Sequence, residues 1–168
     1  MSDIERDTDY VNLVGSILYD DKFNSIKEIE HHGISRYDHS VKVSYYSYKI
    51  AKTLKLNYKD VAKAGLLHDY FLSDPSSTFK DKFKSTFTHP KLALATASSE
   101  YEINDLEADI IKSHMFPVNC LTVPKYAESW VVNGVDKFIG TKEFLQKFTY
   151  QFIFITNLVI LCIFNLKK

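Results

Sequence analysis

An all-α bundle is the fold this chain predicts, and three observations predict it. Apolar residues recur at three- and four-residue spacing through much of the sequence, as at Val11, Val14, Ile17 and Leu18. Helix-start signals precede several of these runs: Asn57, Thr88-His89-Pro90, and Asn104 with Glu107 three residues later. No stretch alternates apolar and polar residues as a half-buried strand does, and no internal repeat is present.

Taken in order, Asp7 to Ile29 reads as an amphipathic helix or two short ones, interrupted at Asp20-Asp21. Gly33 and Ser35 mark a stop and a new start. A long helix follows from Arg36 to Leu54, with Val41, Val43, Tyr46, Ile50 and Leu54 on its apolar side and His39 near its first turn. Asn57 caps the next helix, Lys59 to Tyr70. Residues Leu72 to Phe87, with Pro75, Ser76, Ser77 and Ser85, read as a surface loop long enough to act as a lid or substrate-binding segment. Thr88-His89-Pro90 opens the helix Lys91 to Tyr101, because proline is tolerated in a first turn. Asn104 and Glu107 form a capping box for the helix Asp105 to His114. Pro117 and Pro124 bound a loop, and Glu128 to Phe138 closes the core.

Composition limits the function classes. With 168 residues, 45% hydrophobic and 25% charged, the chain can bury one core and is neither disordered nor two ordinary domains. Its formal net charge is zero, so no global basic field draws it to a nucleic-acid polymer, and any phosphate must be recognised by a local site. Cys120 and Cys162 make no disulfide framework, and the charged N-terminus shows no secretory signal, so a cytoplasmic location is expected. No charged residue lies between Lys147 and Lys167, and the run Phe152-Ile153-Phe154-Ile155 and Leu158 to Phe164 is almost wholly apolar. The domain division is therefore 1–141 for the helical body and 142–168 for a hydrophobic C-terminal segment. Two readings of that segment stay open: a tail anchor giving membrane contact, or a helix packed in the core or in a homodimer interface.

Chemistry concentrates at Ala64-Gly65-Leu66-Leu67-His68-Asp69-Tyr70, where an imidazole and a carboxylate end an apolar helix. A carboxylate beside aliphatic residues needs a compensating cation or donor. Neutral imidazole and carboxylate are both good ligands for divalent metals. His39, His68, Asp69, His89, His114 and Asp136 all fall near helix ends, where side chains from several helices can converge. His31 and His32, beside Gly33, read as exposed linker residues.

Arg36-Tyr37-Asp38-His39-Ser40, Leu67-His68-Asp69 and Val135-Asp136-Lys137 together resemble the H…HD…D pattern of the HD-domain superfamily of metal-dependent phosphohydrolases. His89 and His114 fall where the two-metal branch of that superfamily places its extra histidines. The resemblance implies an HD-domain-like helical bundle with two divalent ions drawn from Mn, Fe, Mg, Co or Zn. It further implies that His39, His68 and Asp136 hold one ion, that His89 and His114 hold the other, and that Asp69 bridges them. His68 and Asp69 are then the catalytic pair. A metal-lowered water pKa would supply the nucleophile for cleaving a phosphate ester. Successive helical residues differ in direction by about 100°, a divergence that a bridging Asp69 accommodates.

For the substrate phosphate the candidates are Arg36, one turn before His39, and Lys112. Lys137, Asp74 and Asp81 read as surface charges. Tyr70, Phe71, Phe116 and Trp130 read as core, with base stacking as the alternative. The expected partner is a small, nucleotide-like phosphorylated substrate. The same six residues would also suit an HD-type di-iron oxygenase, and a non-catalytic nucleotide-binding sensor is the third reading. Iron with oxygen consumption would mark the oxygenase, and anaerobic phosphate release the hydrolase.

Overall fold

A computed structural model describes residues 3–31, 34–72 and 79–166, with side chains at these positions except 3, 30, 31, 34, 79–86 and 158–166. In chain order it contains α1 (Asp3–Arg6), α2 (Thr8–Leu18), α3 (Asp21–Asn24), a 3-10 turn (Ser25–Glu28), β1 (Glu30–His31), β2 (Ile34–Ser35), α4 (Arg36–Thr53), α5 (Tyr58–Leu67), α6 (Phe79–Glu100), α7 (Asp105–Ser113) and α8 (Ala127–Leu166). The architecture is a helical bundle, with one addition to the sequence reading: a two-residue antiparallel ladder that pairs Glu30 with Ser35 and His31 with Ile34. Helix α4 lies at the centre and packs on α5 and α8, while α7 packs on α5, α6 and α8.

Local chemistry accounts for the boundaries. Ser35 caps α4 by accepting the Asp38 amide, and Asn57 caps α5 by accepting that of Asp60. The Asn104–Glu107 box opens α7 with both reciprocal hydrogen bonds formed. Helix α4 ends with Lys55 in the left-handed region at φ 57°, and the Leu56 amide turns back to the Ala51 carbonyl at 2.9 Å. This is a Schellman-type stop made without the usual glycine.

The core is formed by Tyr10 and Val14 of α2, Phe23, Ile26, Val43, Tyr48, Leu66, Leu67, Ile110, Ile111 and Val132. Helices α4 and α5 meet very closely at Gly65, where a Cβ would lie 2.8 Å from the Ser44 Cα. Ser44 closes the same contact through its hydroxyl, which donates to the Ala62 carbonyl at 2.6 Å and accepts from Tyr10 at 2.8 Å. The close approach brings the C-terminal end of α5, with His68 and Asp69, beside the first turn of α4.

Two expectations are corrected. The surface loop placed at Leu72 to Phe87 is helical from Phe79 onward, and α6 runs through Thr88-His89-Pro90 to Glu100. Pro90 thus sits inside a helix rather than in its first turn, where it leaves one carbonyl a turn earlier without its amide partner. Asp74 and the side chain of Asp81 lie outside the described residues, as do Pro75, Ser76, Ser77 and His32 and the side chains of His31 and Cys162. The last core helix does not end at Phe138 but continues without a break to Leu166, so the division between 141 and 142 falls inside α8. Beyond Glu143 the helix projects Phe144, Leu145, Phe148, Phe152 and Phe154 as exposed side chains. Among the described residues no helix is long and apolar enough to cross a membrane.

Candidate metal centre

Each of the six ligand candidates is delivered by a helix whose local sequence fixes its direction. His39 lies in the first turn of α4 and is fully buried. His68 caps the C-terminus of α5, and its Nδ1–H donates to the Gly65 carbonyl at 2.7 Å. His114 occupies the equivalent cap of α7 and donates from Nδ1 to the Ile111 carbonyl at 2.7 Å. Both rings borrow a carbonyl that a helix end leaves unused, and both therefore present Nε2 to the interior. His89 stacks on Phe71 with ring centroids 5.5 Å apart. Asp136 enters from α8, where its Oδ2 accepts from Lys137 Nζ at 2.8 Å.

These side chains form two adjoining groups, His39–His68–Asp136 and Asp69–His89–His114, each with ligand atoms mutually within 4.8 Å. In the first, His39 Nε2 lies 3.0 Å and His68 Nε2 3.7 Å from Asp136 Oδ1. In the second, His89 and His114 Nε2 lie 3.4 and 3.5 Å from Asp69 Oδ1 and 2.9 Å from each other. The other Asp69 oxygen faces the first group, with Oδ2 3.8 Å from His68 Nε2. Adjacent positions therefore reach one cavity despite their angular separation, because α5 ends at Leu67. One carboxylate oxygen toward each group is what a bridging ligand requires.

The donor set fits divalent cations. His68 Nε2 is buried and makes no hydrogen bond among the described residues, although two carboxylates stand just beyond bonding distance. An acceptor nitrogen held at that distance from anionic oxygens suits an ion placed between them. Electrostatics agree. Burial alone would lower the His39 pKa, but hydrogen bonds to Asp136 and Glu143 outweigh it and raise the pKa to about 9. Burial would raise the Asp136 pKa, yet His39, His68 and Lys137 hold it well below the usual carboxylate range. Asp136 is thereby held ionised, the form in which a carboxylate binds a metal.

Other expected residues are placed less simply. Arg36 is buried, with its guanidinium 3.9 Å over the Phe71 ring and donating to the Phe71 carbonyl, so it braces the segment that follows Asp69. Lys112 is exposed. Tyr70 and Phe71 are buried as core residues, whereas Trp130 is half exposed and meets Phe116 edge to face. Lys137, read as a surface charge, instead donates to Asp136 and to the His114 carbonyl at 2.6 Å. Sequence reasoning missed Asn133, whose amide donates to the His114 and Phe116 carbonyls, and missed Glu143 beside His39. A signal for Glu143 was present: it follows Asp136 by seven residues, two helical turns on the same face.

The model of the HD domain family matches residues 36–132, more than half of the chain. The matched segment contains five of the six ligand candidates and ends just before Asp136. No curated protein and no solved structure matches the chain.

Proposed function

Because the chain belongs to the HD domain family, we propose that it is a metal-dependent phosphohydrolase that cleaves a phosphate ester of a small, nucleotide-like substrate. The observation that carries this reading is the pair of adjoining groups, His39–His68–Asp136 and Asp69–His89–His114, joined by the two oxygens of Asp69. His39, His68 and Asp136 would hold one divalent ion and His89 with His114 the other. When bound, such ions supply Lewis acidity toward a phosphoryl oxygen and acidify water. The chain's own part is placement. Lys137 and Asn133 fix the last turn of α7 to α8, so His114 and Asp136 keep their separation. Arg36 and Phe71 hold the chain beyond Asp69 against α4, and Phe71 supports the ring of His89.

A small substrate is favoured over a polymer by the zero net charge, which provides no extended field for a phosphate backbone. The test is phosphate release from a panel of mono- and dinucleotides under anaerobic conditions, with added Mn, Mg, Fe, Co or Zn. Metal-dependent release that Asp69→Ala lowers to below about 1% of the parent, with the helical signal unchanged, supports the hydrolase. Oxygen consumption with iron and no phosphate release supports the oxygenase instead. Nucleotide binding without turnover by any metal-loaded form supports the sensor.

A further inference from the structure

We propose that Glu143 positions His39 as a metal ligand, with Lys42 holding Glu143 in place. The inference rests on the metal-centre reading above. The need arises from where His39 sits. His68 and His114 occupy helix C-caps, so each can give its Nδ1–H to a carbonyl three residues back that no helical amide claims. His39 lies in the first turn of an 18-residue helix, whose carbonyls are taken by amides four residues on. Its ring therefore requires an acceptor from another element, and without one either nitrogen could carry the proton.

Helix α8 supplies that acceptor. Glu143 Oε2 lies 2.9 Å from His39 Nδ1, and both side chains are almost fully buried, at 3% and 1% exposure. The second oxygen, Oε1, accepts from Lys42 Nζ at 3.0 Å. A buried carboxylate with both oxygens engaged keeps one rotamer, so it fixes the ring plane as well as the tautomer. Spacing matches this role on both helices. Lys42 follows His39 by one turn and Glu143 follows Asp136 by two, so each helix contributes one ligand and one support.

The experiment is zinc competition against a chromogenic chelator at fixed pH, using the full chain stripped of metal. The parent should bind two ions. Glu143→Ala should weaken one of them by about 10- to 100-fold and leave the other unchanged. Glu143→Asp should lose as much, because its shorter side chain keeps the charge but not the reach. Glu143→Gln should lose less than Asp without matching the parent, because its amide oxygen accepts the same N–H while its NH2 meets the Lys42 ammonium donor against donor. Ring nitrogen NMR of the zinc-loaded protein gives a second readout: a protected His39 Nδ1–H in the parent and the Gln variant, absent from the Asp variant. If Ala does not fold, the Asp and Gln variants decide alone. Unchanged affinity at both ions in the Asp variant overturns the inference, and so does a Gln variant as weak as Asp. A parent that binds no zinc overturns the metal-centre reading itself, a result distinguishable from either.

Discussion

At Asp69 a single carboxylate stands between two sets of imidazoles, with one oxygen toward each. Removing it should therefore affect both groups at once, whereas removing a histidine should affect only its own. His89→Ala or His114→Ala is expected to lower the bound-metal stoichiometry from two toward one by elemental analysis, with the first group still loaded. A parent value of one would instead make those two histidines contacts to substrate or structure. The protonation of His39 gives a pH signature. Its pKa rises to about 9 between Asp136 and Glu143, so at neutral pH the metal-free ring carries a proton that an entering ion must displace. Affinity at that group should climb from pH 7 toward pH 9 and level off above, and a buffer-dependent binding enthalpy would report the released proton. An affinity that does not change over this range would count against His39 as a ligand. The six ligand candidates were legible in the sequence because their residue types and order are themselves the signal. Lys137 was not, because a lysine in a lysine-bearing helix looks solvated until the opposite helix is in place, and Glu143 was signalled only by its two-turn spacing from Asp136.

Two backbone positions test how the helices are set. Gly65 lets α5 lie against Ser44 of α4, where an added Cβ would meet main chain at 2.8 Å. Main chain in a packed helix yields little, so Gly65→Ala should cost about 1–3 kcal/mol in urea unfolding and weaken metal binding by parting His39 from His68. Lys55 is the reverse case. It takes the left-handed conformation at the end of α4 without being glycine. Lys55→Gly should raise unfolding stability by about 1 kcal/mol and leave the centre untouched. The same scale shows why α6 was only half visible. Lys80, Lys82, Lys84, Ser85 and Thr86 gave residues 79–87 a loop-like composition, although Phe79, Phe83 and Phe87 recur every four residues as on a helix face. Pro90 then drew the predicted start twelve residues too late, because a first-turn proline and an interior proline look alike in sequence.

For the molecule as a whole, every residue placed in the centre or beside it precedes Lys147, while α8 runs on with exposed apolar side chains. Ending the chain after Lys147 should therefore leave two bound ions and the melting temperature close to the parent values. Loss of both on truncation would make the remainder of α8 part of the folded body. The fold class was legible because helical spacing and caps act within a few residues of one another. The convergence of five segments on one cavity was expected from the family resemblance, but no local pattern encodes it. That convergence has a thermodynamic corollary. His39 and Asp136, 97 positions apart, would close one ion's shell between the central helix and the last, so under the proposed metal centre an ion here would work as a removable clasp on a loop spanning most of the polypeptide. Loops of that length are where tying two points together restrains the unfolded chain most. Chelation should accordingly show as earlier melting and faster protease cleavage, well before any assay of turnover is run.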